Sequence, residues 1–218
     1  MRKTQLAKGE FYHIYNRGVD KRDILLDFYD ISRFIQSMEE FNSVEPIGSI
    51  YEKTFLKSSQ VDNSNSKLVD IVCYCLNSNH YHFILKQISE KGVEKFMHRL
   101  STGYTRYFND KYKRNGALFQ GTYKAIHIDS NEYLLHLSAY VNLNNHVHKL
   151  GGLASKSSWE EYLGNKSGFC GKEIILQQFQ DTSDYERFAQ ESLKEILESK
   201  KNLKELENYL LEESELGG

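Results

Sequence analysis

The feature that most limits how this chain can fold is a pair of apolar runs that almost touch. LVDIVCYCLN (68–77) and HYHFILKQ (80–87) are separated only by Ser78-Asn79. Both runs are rich in β-branched and aromatic residues, and two turn-forming residues leave no room for a crossover, so the runs pair as an antiparallel hairpin. EFYHIYNR (10–17) and ALFQGTYKAIHI (117–128) read as two further strands. Helical periodicity fills the gaps. One helix is capped by Asp30 or an earlier aspartate and runs to about Val44. A second covers Gly92 to Lys113, and a third covers Asn131 to His148, with Asp129 or Ser130 as its N-cap. The order β-α-β-β-α-β, then a helix, predicts an α+β fold of the ferredoxin-like split β-α-β type, an antiparallel sheet with helices on one face. KSSQVDNSNSK (57–67) reads as an exposed loop. Gly151-Gly152 marks a boundary between a main domain over 1–150 and a small helical C-terminal extension over 151–218.

Charge separates the same two parts. Residues 1–150 carry 20 Lys and Arg against 16 Asp and Glu, whereas 151–218 carry 8 against 14. The first part is therefore the better partner for a polyanion, and the second is a solvated acidic appendage. Apolar content of 39% and charged content of 27% suit a soluble globular protein. No apolar run reaches the roughly 18 residues of a membrane span, and MRKTQLAKGEFYH lacks an apolar signal core. A cytoplasmic protein is expected. Cys73, Cys75 and Cys170 have neither zinc-site spacing nor a disulfide framework, so they read as buried thiols.

On the third strand, alternation puts His80 and His82 on one face, with Tyr81 and Phe83 on the other. Two neutral imidazoles so spaced can converge on one cation, but the set needs a third donor. In NEYLLHLSAYVNLNNHVHK, Tyr140 and Asn144 stand one helical turn apart, and Leu134, Leu137 and Val141 form the adjacent packing face. An Asn carbonyl oxygen beside two imidazoles would complete a mixed nitrogen–oxygen site suited to Mg²⁺ or Mn²⁺. On the helix from Gly92, Phe96, Met97, Leu100, Tyr104, Tyr107 and Phe108 share an apolar sector, and Lys95, Arg99, Arg106 and Lys113 share a basic stripe. Such a stripe suits either a phosphate backbone or plain solvation.

HYH on a strand followed by YVNLN on a later helix resembles the single-tyrosine HUH transposases, and most closely their REP-associated tyrosine transposase branch, of the IS200-like type. YHIYNRGVDKRDI, NSNHYHFIL, RYFNDKYKRNGALFQGTYKA, SSWEEYLG and YERFA extend the likeness over about residues 9–190. The resemblance implies His80, His82 and Asn144 as metal ligands and Tyr140 as nucleophile. It implies cleavage and rejoining of single-stranded DNA beside a hairpin through a 5′-phosphotyrosine intermediate, with Mg²⁺ or Mn²⁺, and a homodimer. Backbone contacts are assigned to Arg17, Lys21, Arg99, Arg106, Lys113, Arg114 and Lys124, and Tyr104, Tyr107 and Tyr123 are candidates for stacking on bases.

The sequence departs from the family's Tyr-x-His-Leu-Asn-Pro pattern. Asn142 stands in place of His, and Asn145 in place of Pro, which would let the helix continue. Thr122 replaces the usual Arg after LFQG. The alternative to an active transposase is a domesticated binder of hairpin DNA or RNA that no longer moves it. A third reading, a structural protein whose histidines are incidental, is separated from both by metal titration.

Overall fold

Alternation of buried side chains builds the sheet. The computed structural model describes residues 5–48, 50, 66–147 and 155–198. Five strands, β1 (Phe11–Arg17), β2 (Val69–Leu76), β3 (His80–Gln87), β4 (Lys124–Ile128) and β5 (Lys156–Ser157), form one antiparallel sheet in the order β4-β1-β3-β2-β5. β2 and β3 form the hairpin, closed by the Asn77 N–H donating to the His80 carbonyl at 2.8 Å. A register shift between Ile71 and Cys73 marks a bulge that puts consecutive Val72 and Cys73 into the same buried cluster.

α1 (Phe28–Glu40) begins at Asp27, whose carboxylate accepts the Asp30 N–H at 2.8 Å. It buries Ile31, Phe34 and Met38, spaced three, four and seven apart. α2 (Gly92–Lys111) buries Val93, Phe96, Met97, Leu100, Tyr104 and Phe108 on the same side of the sheet. This face meets Tyr81, Phe83 and Leu85 of β3, and fully burying one such side chain is worth about 1.5–3 kcal/mol. A clamp ties the two helices together. Lys111 Nζ lies 2.8 Å from Asp27 and 2.7 Å from the fully buried Asp30, which also accepts from Tyr107 and Tyr112.

α3 (Asn131–Asn142) starts at Ser130, whose hydroxyl accepts the Tyr133 N–H. It packs on the opposite face, against Val72, Cys73, Cys75 and Ile84. Helices therefore cover both faces, because the side of β3 bearing His82 also carries Ile84, which needs an apolar cover. α4 (Asn144–Val147), α5 (Trp159–Tyr162), α6 (Glu173–Leu176) and α7 (Thr182–Glu198) follow. α5, α6 and α7 add Tyr162, Ile175, Tyr185 and Ala189 to this second cluster.

Three expected boundaries move. The strand expected over 117–128 spans only Lys124–Ile128, because Leu118 and Phe119 instead plug the core and Gly121 turns the chain at φ +63°. Among the described residues, only the isolated bridge Gly18–Phe119 extends the pairing. α2 stops at Lys111, since Lys113 is left-handed at φ 52°. α3 does not run on to His148. Leu143, at φ −105° and ψ 10°, ends it after Asn142, and a new turn begins at Asn144. His148, Gly151-Gly152 and residues 57–65 of the expected loop lie outside the described residues.

Candidate active site

The sheet register assembles one face of the site. Across β1 and β3, Arg17 pairs with His80 and Tyr15 with His82. Across β1 and β4, Tyr15 pairs with Lys124, and across β2 and β3, Cys75 pairs with His82. Directly opposed residues project to the same side. Arg17, His80, Tyr15, His82 and Lys124 therefore share the face covered by α3.

Hydrogen bonds decide which imidazole nitrogens can act as donors to a cation. Asn79 Nδ2 donates to the Lys21 carbonyl, so its Oδ1 is the atom lying 2.6 Å from His80 Nδ1. An oxygen there requires a proton on Nδ1, which leaves a lone pair on Nε2. Asn77 Nδ2 donates to that lone pair at 2.9 Å. His82 Nδ1 lies 3.0 Å from His13 Nε2. His13 is wholly buried, and burial holds its pKa down at about 3, so it is neutral. Where His13 Nε2 accepts, the His82 proton sits on Nδ1 and a lone pair is left on its Nε2, the arrangement in which a neighbouring acceptor orients an imidazole toward a cation. The rings are tightly grouped. His80 and His82 stand edge to face at 5.2 Å, and Tyr15 stacks on His82 at 5.8 Å.

α3 and the break after it bring in the other two residues. The Tyr140 ring meets His82 edge-on, with centroids 5.7 Å apart and planes at 82°. Asn144 is fully buried, and its Oδ1 accepts from Asn77 Nδ2 at 2.7 Å. Asn144 Nδ2 has no hydrogen-bond partner among the described residues. An amide buried this completely and only half satisfied asks for a further explanation. Two neutral imidazoles and an amide oxygen suit a hard or borderline divalent cation. Among the described residues no three His, Cys, Asp or Glu side chains gather in such a way, so any cation site here depends on asparagine.

Asn142, in the position where the family pattern has His, faces away from this centre. It is fully buried, donates to the Tyr185 hydroxyl at 2.9 Å and accepts from the Ser158 hydroxyl at 2.6 Å. It ties α3 to α7 and, through Ser158 and the Tyr74 N–H, to β2.

The nominated cations are scattered. Arg17, held by Gln120, and Lys124 flank the histidines. Lys21 is in the turn whose carbonyl receives Asn79. Arg114 bonds Asn109 and lies over the Phe108 ring. Arg99 is engaged with the carbonyls of Ser43 and Val44. Arg106 and Lys113 belong to α2 and its end, in the layer on the other side of the sheet. Of the tyrosines considered for stacking, Tyr104 is core and donates to the Ile24 carbonyl, and Tyr107 bonds Asp30. Tyr123 is also buried. Sequence reasoning missed His13, Tyr15 and Asn77. The first two alternate on β1 beside β3, a signal that the ferredoxin-like strand order could have exposed, whereas Asn77 looks like an ordinary turn residue.

Comparisons with known proteins bear on this site. The model of the IS200-like transposase family matches residues 49–144. No curated protein matches. A solved structure described as a REP-associated tyrosine transposase bound to a REP hairpin is similar at 12% identity and a TM-score of 0.47, over 75% of this chain and 85% of that one. The segment matched by the IS200-like transposase model, residues 49–144, contains the hairpin, the tyrosine helix and the four residues His80, His82, Tyr140 and Asn144.

Proposed function

We propose that this chain is a metal-dependent transposase that cleaves and rejoins single-stranded DNA through Tyr140. The observation that carries the reading is the meeting of α3 with the hairpin. Tyr140 touches His82 edge-on, and Asn144 converges with His80 on a single amide. His80 Nε2, His82 Nε2 and Asn144 Oδ1 would hold a divalent cation, Mg²⁺ or Mn²⁺. Such an ion supplies positive charge for the non-bridging oxygens of the scissile phosphate. The Tyr140 oxygen forms a bond to phosphorus as the bond from phosphorus to the 3′ oxygen breaks. The phenol gives up its proton, and the departing oxygen gains one to become a 3′-hydroxyl. The phosphotyrosine diester conserves the broken linkage, so a second 3′ end can reverse the step. Arg17 and Lys124, which share this face of the sheet, would bind the strand's backbone.

A hairpin-bearing single strand is the substrate implied by the sequence resemblance, as is a homodimer. Residues 1–150 form the catalytic part in this reading, and 151–218 form an extension whose helices brace α3. Among the described residues, no helix is long and apolar enough to cross a membrane.

The test is adduct formation. Incubation with hairpin-flanked single strands and Mg²⁺ or Mn²⁺ should give a covalent protein–DNA band, abolished in Tyr140→Phe with DNA binding retained. An adduct that survives Tyr140→Phe refutes the nucleophile. Hairpin binding without any adduct from the unmutated protein establishes the binder instead.

A further inference from the structure

Asn77 occupies a position that the family reading does not explain. It is fully buried just after β2, and its Nδ2 donates at once to His80 Nε2 (2.9 Å) and Asn144 Oδ1 (2.7 Å). Those two acceptors are the atoms assigned above to the cation. An amide nitrogen cannot itself be the stand-in for the ion, because a ligand atom lies only about 2.1 Å from Mg²⁺. Neighbouring ligands of an octahedral ion are instead about 3 Å from each other. The spacings around Asn77 match that second distance. Its terminal atom stands where another ligand would stand.

The other end of the amide makes an exchange feasible. Asn77 Oδ1 now accepts from Ser155 Oγ at 3.2 Å and lies 3.7 Å from Cys75 Sγ. A hydroxyl can accept as well as donate, and a thiol sulfur can accept weakly. A half-turn about the last side-chain bond would swap two atoms of nearly equal size and leave both ends with partners. It would also bring a third acceptor atom, Asn77 Oδ1, to within about 3 Å of those of His80 and Asn144. That arrangement is repulsive without a cation and favourable with one.

We propose that Asn77 is a fourth protein ligand, whose amide turns over to present Oδ1 when the divalent cation binds. In the metal-free protein the same side chain holds His80 and Asn144 together by donating to both. The proposal rests on the cation site described above and adds a ligand to it.

The test measures Mn²⁺ affinity of the full chain by titration calorimetry, beside thermal unfolding without metal. Asn77→Asp places a charged oxygen at the ligand position and should tighten Mn²⁺ binding at least about tenfold, since affinity follows ligand charge. The same change should lower the metal-free melting temperature, because a carboxylate then faces two acceptors. Asn77→Ala should weaken binding about tenfold or more. A residue that only positions its neighbours would weaken binding in both variants, so loss of affinity in Asn77→Asp overturns the proposal, as does an unchanged constant in both. Should Asn77→Ala not fold, Mg²⁺ titration of the unmutated protein followed by NMR decides. The Asn77 side-chain amide signal should move with the His80 ring signals, and movement of His80 alone overturns the proposal. A failure of the underlying site is distinguishable, because the unmutated protein and His80→Ala would then show the same lack of Mn²⁺ binding.

Discussion

The anchoring of α3 can be tested by removing one oxygen atom. Ser138 Oγ donates to the Leu135 carbonyl at 2.7 Å, which uses its only proton. The Tyr185 hydroxyl, 3.1 Å away, must therefore donate to Ser138 while accepting from Asn142 Nδ2 at 2.9 Å. Burial pushes the Tyr185 pKa up, so that proton stays in place. In Tyr185→Phe the ring remains and no cavity opens. Ser138 keeps its bond to Leu135, but Asn142 is left with a buried N–H and no acceptor, a loss of about 1–3 kcal/mol. We expect about 2 kcal/mol, which for a chain of this size lowers the melting temperature by about 4–8 °C. Urea unfolding followed by circular dichroism should show a lower midpoint with an unchanged slope. A loss below about 0.5 kcal/mol would refute the argument, because Asn142 would then have an alternative partner and the polar network would not be what holds α3.

Three further outcomes follow from the other face of the sheet. Lys111→Met leaves the buried Asp30 without its cation, and equilibrium unfolding should show a loss of about 3 kcal/mol, moderated by the remaining bonds from Leu26 N–H, Tyr107 and Tyr112. The hydrogen bond from Lys111 holds the Asp27 carboxyl below its ordinary value of 3.8. A depressed carboxyl stabilises the fold above its unfolded value and stops doing so as pH falls through its folded value. The stability gap between unmutated protein and Lys111→Met should thus be level from about pH 8 to 5 and narrow below about pH 4. In Gly92→Ala, a Cβ would stand 2.1 Å from the Leu68 carbonyl oxygen. That clash outweighs the gain in helix propensity of about 1 kcal/mol, so the melting temperature should fall.

The hairpin was legible because β2 and β3 carry their own pairing signal, and Ser78-Asn79 admits no other connection. The periods of α1 and α2 were legible because both bury one stripe against one sheet face. Three features were not legible, for different reasons. LFQGTY at 118–123 has the apolar content of a strand, but Leu118 and Phe119 spend it on plugging the core end. β5 is only Lys156–Ser157 and carries no periodicity. The break at Leu143 was hidden because a missing Pro removes a reason to stop without supplying a reason to continue. His80 and His82 were visible as a pair, whereas His13 and Asn77 acquire meaning only from neighbours 69 and 67 positions away.

That distance explains why the extension matters to a centre built on the hairpin and α3. The imidazoles are fixed by the sheet, through Asn79, Asn77 and His13, and so move with the hairpin. Tyr140 and Asn144 belong to a different body, α3 and the turn after it, which the chain joins to the sheet only at its ends, from β4 before it and to β5 after it. One side of α3 rests on Cys73, Cys75 and Ile84, an apolar contact that resists separation but allows sliding. Register along the sheet needs directional bonds, and these come from the other side, through Asn142 to Tyr185 and Ser158. Because Ser158 also accepts the Tyr74 N–H, the path closes on β2, the strand that leads into Asn77. The asparagine at 142 therefore sets the position of the tyrosine two residues before it and the asparagine two residues after it, both relative to the hairpin.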